Sequence, residues 1–457
     1  MKSLLFSLII VLSCCCSKAA TYYAATNGVS GNTGLSTNSP WPLTYALINI
    51  GPSNTIIVMP GTWSGSQIDV FKPGTTLRSQ VKWGARLINS PTHCLSTHYA
   101  NTTIDGFEIA YSLDNGIWIQ ESDCIVRNCW VHHCKGHAGI AANSGPDSQS
   151  GTLHDTLVES NLIEYNGAAG YNTDHGMYLC GTNITVRNNV CRYNIASGIQ
   201  IWDCSARGST NVQVYNNLCY GNGHWGLVAG SDCGNVQLNV FGNTFICTNS
   251  AMGIGSGGLA SITCTNNILL GTLKTLDEFG GTYNIVGDYN LMGRVDNLPL
   301  GSHGILTNYA GFVNTNSGLY WLKSNSPARG RALADVCGPV GFFGNAQSSV
   351  ADIGAFQYSG ILVGDTRTLD PSGASGADYW GALEWSPHAQ SVGVKTNQFG
   401  FALVGTSNMN VVVYACTDLA NPAWSPVGTN TLTNGSSYFS DPQWTSYPCR
   451  FYSFSWQ

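Results

Sequence analysis

Four titratable side chains in the first half of the sequence, Lys135, His137, Asp174 and His175, are of the types that acid–base chemistry requires. Histidine and lysine can take or give a proton, and a neighbouring carboxylate can orient a histidine and favour its charged form. Five of the ten histidines fall between His132 and His175, in a chain of which only 10% is charged. This gathering is the strongest sign of a reactive site in the sequence.

A sequence repeat surrounds these side chains. Asparagines recur at steps of 28, 28, 26 and 24 residues, and each repeat also holds a short apolar run that opens on glycine, such as Gly176-Met-Tyr-Leu. The runs are rich in β-branched and aromatic residues and bounded by Gly, Asn and Asp, which is typical of strands. The period predicts a solenoid, and strands without room for crossover helices predict a parallel β-helix. A stacked asparagine tolerates a left-handed backbone at a tight turn and can hydrogen-bond to its neighbours above and below. The asparagines expected in one column are Asn161, Asn189, Asn217, Asn243 and Asn267.

Aligning the glycine-led strands places the titratable groups on one face and puts Trp118, Ala141, Tyr178, Gln200 and Val228 in one column. Rungs of a parallel sheet are about 4.8 Å apart, so His137 and Asp174 are expected to be neighbours, with Asp114 one rung before His137. The long segment 143–154 interrupts the repeat and is expected to wall one side of this face. Further side chains of the same strands are expected to line a ligand groove: Trp118, Tyr178, Gln200, Trp202, His224 and Trp225.

The two ends of the chain differ from the repeat. Lys2 and the apolar run from Leu4 to Ser13 predict a signal peptide over residues 1–20, because the run is too short to span a bilayer. The sequence before Cys14 also resembles a lipoprotein cleavage box, which leaves lipid attachment open. Residues 21–358 are predicted to form the solenoid, entered through a short cap helix after Pro42. Alternating apolar residues predict a small β-sandwich over residues 359–457.

The composition and the net charge indicate which partners, metals and disulfides are expected. The net charge is −6 and no basic patch occurs, so nucleic acid is not expected to bind. Cys191 and Cys219 occupy the same position 28 residues apart, which predicts buried, unbridged thiols. Cys416 and Cys449 are expected to pair, because a bridge stabilises a small module most. Zinc is disfavoured, because residues 21–457 contain no Cys-x-x-Cys motif.

The two ends of the solenoid region carry these motifs: Tyr22-Tyr23, Pro42, Thr55-Ile-Ile-Val, Pro60-Gly61-Thr62-Trp63, Ser326-Pro-Ala-Arg-Gly and Asp352-Ile-Gly-Ala-Phe-Gln-Tyr358. Through them the sequence resembles the secreted right-handed parallel β-helix proteins, the pectate-lyase-like superfamily of polysaccharide lyases, some glycoside hydrolases and alginate epimerases. The resemblance covers residues 21–358 and implies the right-handed coil. The C-terminal part also looks like modules of some secreted bacterial proteins, through Asn410-Val-Val-Val-Tyr and Tyr447-Pro-Cys449.

The resemblance implies a secreted or cell-surface protein, extracellular or periplasmic, that acts on polysaccharide. The favoured interpretation is a lyase cleaving an acidic, uronate-containing glycan. Lys135 or His137 would take the C5 proton, and His175 would be the acid or the partner of the substrate carboxylate. Asp174, with Asp114, would orient a histidine or hold Ca²⁺, although two carboxylates on non-adjacent rungs are few for that ion.

Other functions remain open at this stage. A glycoside hydrolase of the same fold needs two carboxyl groups across the bond, of which Asp174 would be one. An epimerase would use the same proton abstraction. A non-catalytic glycan-binding or adhesive solenoid needs only the aromatic stripe. The oligomeric state and the role of the C-terminal module are also open.

Overall fold

Three short strands in each turn build the solenoid. The computed structural model describes residues 19–143, 153–168, 173–203, 208–232, 234–336, 342, 351–358, 388–395, 398–404, 410–417, 424–433, 436–447 and 449–456. Strands of successive turns pair in parallel and form three sheets of eleven, eleven and nine strands. The solenoid therefore makes about nine turns, and the predicted parallel β-helix is confirmed.

The three sheets are numbered in the order in which the chain first enters them. Sheet 1 comprises Thr21–Ala24, Thr55–Val58, Thr76–Ser79, Thr103–Asp105, Ile125–Arg127, Leu157–Glu159, Thr185–Arg187, Ser209–Tyr215, Val236–Phe241, Leu259–Thr265 and Thr282–Asp288. Sheet 2 comprises Gly61–Ser64, Ala85–Ile88, Glu108–Ala110, Trp130–His132, Leu162–Glu164, Val190–Arg192, Leu218–Tyr220, Thr244–Cys247, Ile268–Gly271, Leu291–Met292 and Ile305–Leu306. Sheet 3 comprises Ile68–Val70, Leu95–Thr97, Ile117–Ile119, Ala138–Ala142, His175–Leu179, Ile199–Asp203, Trp225–Ser231, Ser250–Ser256 and Lys274–Glu278.

The predicted asparagine column lies at the turn between sheets 1 and 2. Asn189 shows the pattern: its Oδ1 accepts hydrogen bonds from the backbone N–H and the Nδ2 of Asn161, both at 3.0 Å, while its own Nδ2 donates to Asn217 Oδ1 and Val158 O. Each asparagine side chain hydrogen-bonds to polar groups of the neighbouring turn that would otherwise be buried without a partner. The column therefore repeats without a change of residue type. The left-handed backbone falls on the residue before each asparagine, such as Asn188 at φ 57°, and not on the stacked asparagine. The column continues beyond the predicted set to Asn290.

A second asparagine column was not predicted. Asn166, Asn194 and Asn222 stack after sheet 2, and each Oδ1 accepts from the backbone N–H of the residue one turn earlier. Their spacing of 28 residues is visible in the sequence, so the same argument that predicted the first column predicts this one.

The interior of the solenoid is apolar and continuous. Alternate strand residues point inward, so Val158, Val186 and Val214 stack with no exposed surface. Cys191 and Cys219 are register partners on adjacent strands of sheet 2. Both are buried free thiols, as predicted. Burial also raises the pKa of the Cys219 thiol well above its ordinary value.

The outer face of sheet 2 is covered by the chain that follows the last turn. A second apolar cluster joins outward residues of sheet 2, such as Leu162 and Leu218, to Tyr320 and Phe356. The hairpin of Phe312–Asn314 and Leu319–Leu322, the 3₁₀ turns Thr315–Ser317 and Ala334–Val336, and residues 351–358 belong to this covering segment. The closing segment expected from the sequence therefore packs along the side of the solenoid.

The predicted N-terminal helix is Leu43–Asn49, which begins after Pro42. Leu43, Ala46 and Leu47 are buried in the same core as the first strands. Its role as a cap stays a prediction, as do the handedness of the coil and the domain boundaries. The signal segment and Cys14 lie outside the described residues, apart from positions 19 and 20. None of the helices in the described part of the chain could cross a membrane.

The C-terminal part contains two three-stranded antiparallel sheets. One orders His388–Lys395, Gln398–Val404 and Ser436–Asp441, and the other Ser425–Thr431, Asn410–Cys416 and Phe451–Trp456, with a 3₁₀ turn at Trp444–Ser446. Phe401 and Phe439 of the first sheet share a core with Val411 and Val413 of the second. The predicted pairing of Cys416 with Cys449 is wrong: both are free thiols, Cys416 buried and Cys449 exposed.

Candidate functional site

A cleft of about 550 Å³ opens on the outer face of sheet 3. It extends from the strand Ala138–Ala142 to the end of Lys274–Glu278, and the outward side chains of the intervening strands form its floor. The lining residues are Asn115, His137, Ala141, Asn143, Thr173, His175, Tyr178, Gln200, Trp202, Trp225, Val228 and Phe279.

The strand register on the cleft floor is the one that the sequence alignment predicted. Trp118 pairs with Ala141, Ala141 with Tyr178, Tyr178 with Gln200 and Gln200 with Val228. Parallel pairing holds successive partners one rung apart, about 4.8 Å. Side chains that are 22 to 37 residues apart in sequence therefore lie on adjacent rungs of one column.

His137 and Asp174 lie side by side at the cleft. His137 Nδ1 is 3.9 Å from Asp174 Oδ1, and the histidine side chain is 75% exposed while that of the aspartate is 6% exposed. Asp174 Oδ2 accepts the backbone N–H of Ala168 at 2.8 Å, which fixes the carboxylate. A fixed carboxylate beside an exposed imidazole can orient the ring for proton transfer. The predicted contact between His137 and Asp174 is thus present.

His175 is buried and held as the neutral imidazole. Its Nδ1 accepts the backbone N–H of Ser197 at 3.2 Å, so the ring hydrogen sits on Nε2. Burial, together with the neighbouring His137 and His224, lowers the pKa of His175 from 6.5 to about 3, although a hydrogen bond to the side chain of Gln200 acts in the opposite direction. At neutral pH His175 is therefore a fixed hydrogen-bond donor.

Lys135 and Asp114 lie beside the cleft and do not line it. Lys135 is exposed and tied to Ser112 only through its backbone N–H, at 3.0 Å. The carboxylate of Asp114 is 46% exposed and lies 3.7 Å from His93 Nε2. Of the predicted reactive group, the structure brings His137, Asp174 and His175 together and leaves Lys135 at the edge.

The donor set in the cleft does not fit a calcium ion. Ca²⁺ takes six to eight oxygen ligands and usually several carboxylates, whereas the described lining residues include no carboxylate, and the nearby Asp174 is engaged with Ala168 and His137. Among the described residues, the group with metal-ligand spacing is Asp123, His154 and Asp155, away from Asp114 and Asp174.

The predicted binding residues divide into two sets. Tyr178, Gln200, Trp202 and Trp225 line the cleft, whereas Trp118 and His224 do not. Trp118 is occupied elsewhere: its ring centroid is 4.6 Å from that of His93, and its Nε1 donates to Asn143 Oδ1 at 2.5 Å. It shapes the cleft wall by holding the Asn143 amide.

His224 stands behind Trp225, with ring centroids 5.0 Å apart and an edge-on geometry. Its Nδ1 is buried and has no hydrogen-bond partner among the described residues. The structure thus places His224 as a support for Trp225 at the back of the cleft.

Five lining residues were not predicted as site residues: Asn115, Ala141, Thr173, Val228 and Phe279. Asn143 belongs to the segment that was expected to wall one side. Asn115 immediately precedes a glycine-led strand, and its Oδ1 accepts the backbone N–H of Ala138 at 2.8 Å, so its position in the column was a usable signal. Phe279 gave none, because it follows the last strand of sheet 3 and comes from a different turn. Residues 144–152 of the predicted loop wall lie outside the described residues.

Comparison with solved structures supports the fold. The pectate lyase Pel9A superposes with a TM-score of 0.56 at 15% identity, covering 75% of this chain and 97% of that protein. An alginate lyase from a Paenibacillus species gives a TM-score of 0.38 at 15% identity, covering 58% of this chain and 99% of the other. The chain matches no model of a known protein family and no curated protein sequence. The chain is thus a parallel β-helix protein with the fold found in pectate lyase.

Proposed function

We propose that this protein is a polysaccharide lyase that cleaves a uronate-containing glycan in the cleft of sheet 3. The observation that carries the proposal is the convergence of an exposed imidazole on a buried carboxylate, His137 with Asp174, beside the fixed donor His175 and the phenol of Tyr178. These groups supply the three functions that a β-elimination requires: a base, a partner for the substrate carboxylate and an acid.

His137 is the base in this mechanism. It takes the proton from C5 of the uronate, and Asp174 orients the ring during the transfer. The electrons of the broken C5–H bond form the C4=C5 double bond, and the bond between C4 and the glycosidic oxygen breaks. The departing oxygen receives a proton from Tyr178, which lines the cleft one rung from Gln200.

His175 and Gln200 serve the substrate carboxylate. An anion next to C5 opposes the removal of a proton, and hydrogen-bond donors directed at its oxygens lower that cost. His175 is neutral and donates through Nε2, and the Gln200 side chain adjoins it. Both side chains lie on strands of sheet 3, so their positions are set before the substrate binds.

A screen of the purified protein against acidic and neutral polysaccharides tests the proposal. A rise in ultraviolet absorbance from unsaturated uronates on an acidic polymer is the expected result. New reducing ends without that absorbance would identify a glycoside hydrolase instead. Retention of a polymer without either product would identify a glycan-binding protein.

A further inference from the structure

Three aromatic rings at the end of the cleft form a continuous surface, here called the aromatic platform: Trp202, Trp225 and Phe279. The ring centroids of Trp202 and Phe279 are 6.3 Å apart with an interplanar angle of 6°, and those of Trp225 and Phe279 are 5.3 Å apart with an angle of 26°. Phe279 stands between the two indoles and is 46% exposed. The three ring planes are therefore nearly parallel and accessible from the cleft.

Glycines beneath the rings make this arrangement feasible. A Cβ on Gly230 would lie 2.2 Å from Cζ3 of Trp202, and one on Gly255 would lie 2.1 Å from Cε2 of Phe279. Gly253 gives the same room to Trp225, with a Cβ placed 2.8 Å from Cε2. Glycine in a strand interior costs stability and marks a close approach.

The platform has the chemistry of a subsite for an uncharged sugar. Aromatic faces pack against the CH faces of a pyranose, and the described residues that line this end of the cleft include no lysine or arginine. An acidic group adjoins the platform, because Asp232 accepts Trp202 Nε1–H at 3.1 Å. The charge of Lys274 is paired with that of Asp277. A uronate carboxylate placed here would meet the Asp232 charge without a cation to offset it.

We infer that the aromatic platform binds a neutral pyranose unit next to the uronate that reacts at His137. The position next to a reacting uronate rests on the proposed function, whereas the binding of a neutral sugar does not. It assigns the substrate to the heteropolysaccharides, in which uronate units alternate with or stand beside uncharged sugars, in place of the homopolymers of uronate.

Binding measured without turnover tests the inference. The His137→Ala protein is applied to a printed array of neutral, mixed and all-uronate oligosaccharides, which include cellohexaose, hyaluronan oligosaccharides and oligogalacturonate. The affinities for these oligosaccharides in solution are then measured by tryptophan fluorescence. We expect retention of neutral or mixed glycans. Phe279→Ala in the same background should raise their Kd about tenfold. The matched control is Phe71→Ala. Phe71 is similarly exposed, at 49%, but it stacks on His98 and does not line the cleft.

The outcomes separate the two proposals. Binding of all-uronate oligosaccharides alone, binding of no array member, or a Kd unchanged by Phe279→Ala would each overturn the platform, even if the parent protein releases unsaturated uronates. Loss of neutral-sugar binding in Phe279→Ala, without unsaturated products from the parent on any polymer, would keep the platform and reject the lyase. Circular dichroism of each variant shows that the solenoid is intact.

Discussion

His137 Nδ1 lies 3.9 Å from Asp174 Oδ1, so that an exposed imidazole faces a buried carboxylate across two neighbouring turns. If His137 is the base, His137→Ala should lower kcat by about a hundred- to ten-thousand-fold, the usual contribution of a general base. Rates of ultraviolet absorbance increase on the substrate found in the screen provide the measurement. A variant with full activity would place the base elsewhere.

Lys135 tests whether the base is the residue inside the cleft or its neighbour at the edge. Lys135 is exposed and absent from the lining, so Lys135→Ala should reduce kcat by less than about tenfold, well below the usual contribution of a general base. The two alanine variants are compared under the same conditions. A loss as large as that of His137→Ala would restore lysine as the base.

The buried His175 should make the protein less stable in acid. The pKa of His175 is about 3 in the folded chain and 6.5 ordinarily, so between these values the unfolded chain binds a proton that the folded chain does not. The contribution of His175 to the free energy of unfolding is therefore fully present above pH 6.5. It is lost as the pH falls toward 3, by about 1.4 kcal/mol per pH unit. Urea unfolding between pH 7 and 4 should show a smaller slope for His175→Gln than for the parent.

His137→Gln is the matched control for that experiment, because His137 belongs to the same cleft and its side chain is 75% exposed. Its slope of unfolding free energy against pH should stay closer to the slope of the parent than that of His175→Gln does, because burial is the largest cause of the lowered pKa of His175. Equal slopes for the parent and His175→Gln would show that His175 titrates normally.

The asparagine column should carry a measurable share of the stability. Asn189→Ala removes the acceptor of the buried Asn161 N–H and the donor to Val158 O. Each buried group left without a partner costs about 1–3 kcal/mol. Denaturant unfolding measures the loss, and Asn284→Ala is the control, since Asn284 is exposed on a sheet 1 strand. Equal stability of the two variants would contradict a structural role for the column.

Labelling of individual cysteines tests whether the described thiols form disulfide bonds. Cys191, Cys219, Cys416 and Cys449 are all free. Peptide mapping of denatured, alkylated protein should therefore find these four thiols labelled without prior reduction. In the native state the buried thiols should be protected, because Cys219 has no exposed surface and its thiolate is disfavoured. Labelling of Cys416 and Cys449 that requires prior reduction would show a disulfide between them.

The repeat and its register could be derived from sequence alone. The 28-residue step aligns the asparagines, and the glycine that opens each strand aligns the rungs of sheet 3. The Asn161–Asn189–Asn217 column and the Trp118–Ala141–Tyr178 register are therefore both as predicted. The contact of His137 with Asp174 followed from the same alignment.

Tertiary structure alone decided how deeply each group is buried and which distant ring completes the cleft. His175 and Lys135 look equally reactive in sequence, yet one is enclosed by Ser197 and Gln200 and the other faces solvent, because burial depends on side chains from neighbouring rungs. Phe279 reaches the cleft from beyond the last strand of sheet 3, across the space that Gly255 leaves open. Periodicity specifies what repeats along the solenoid, whereas a site is built where the repeat is broken, and its geometry depends on packing between turns.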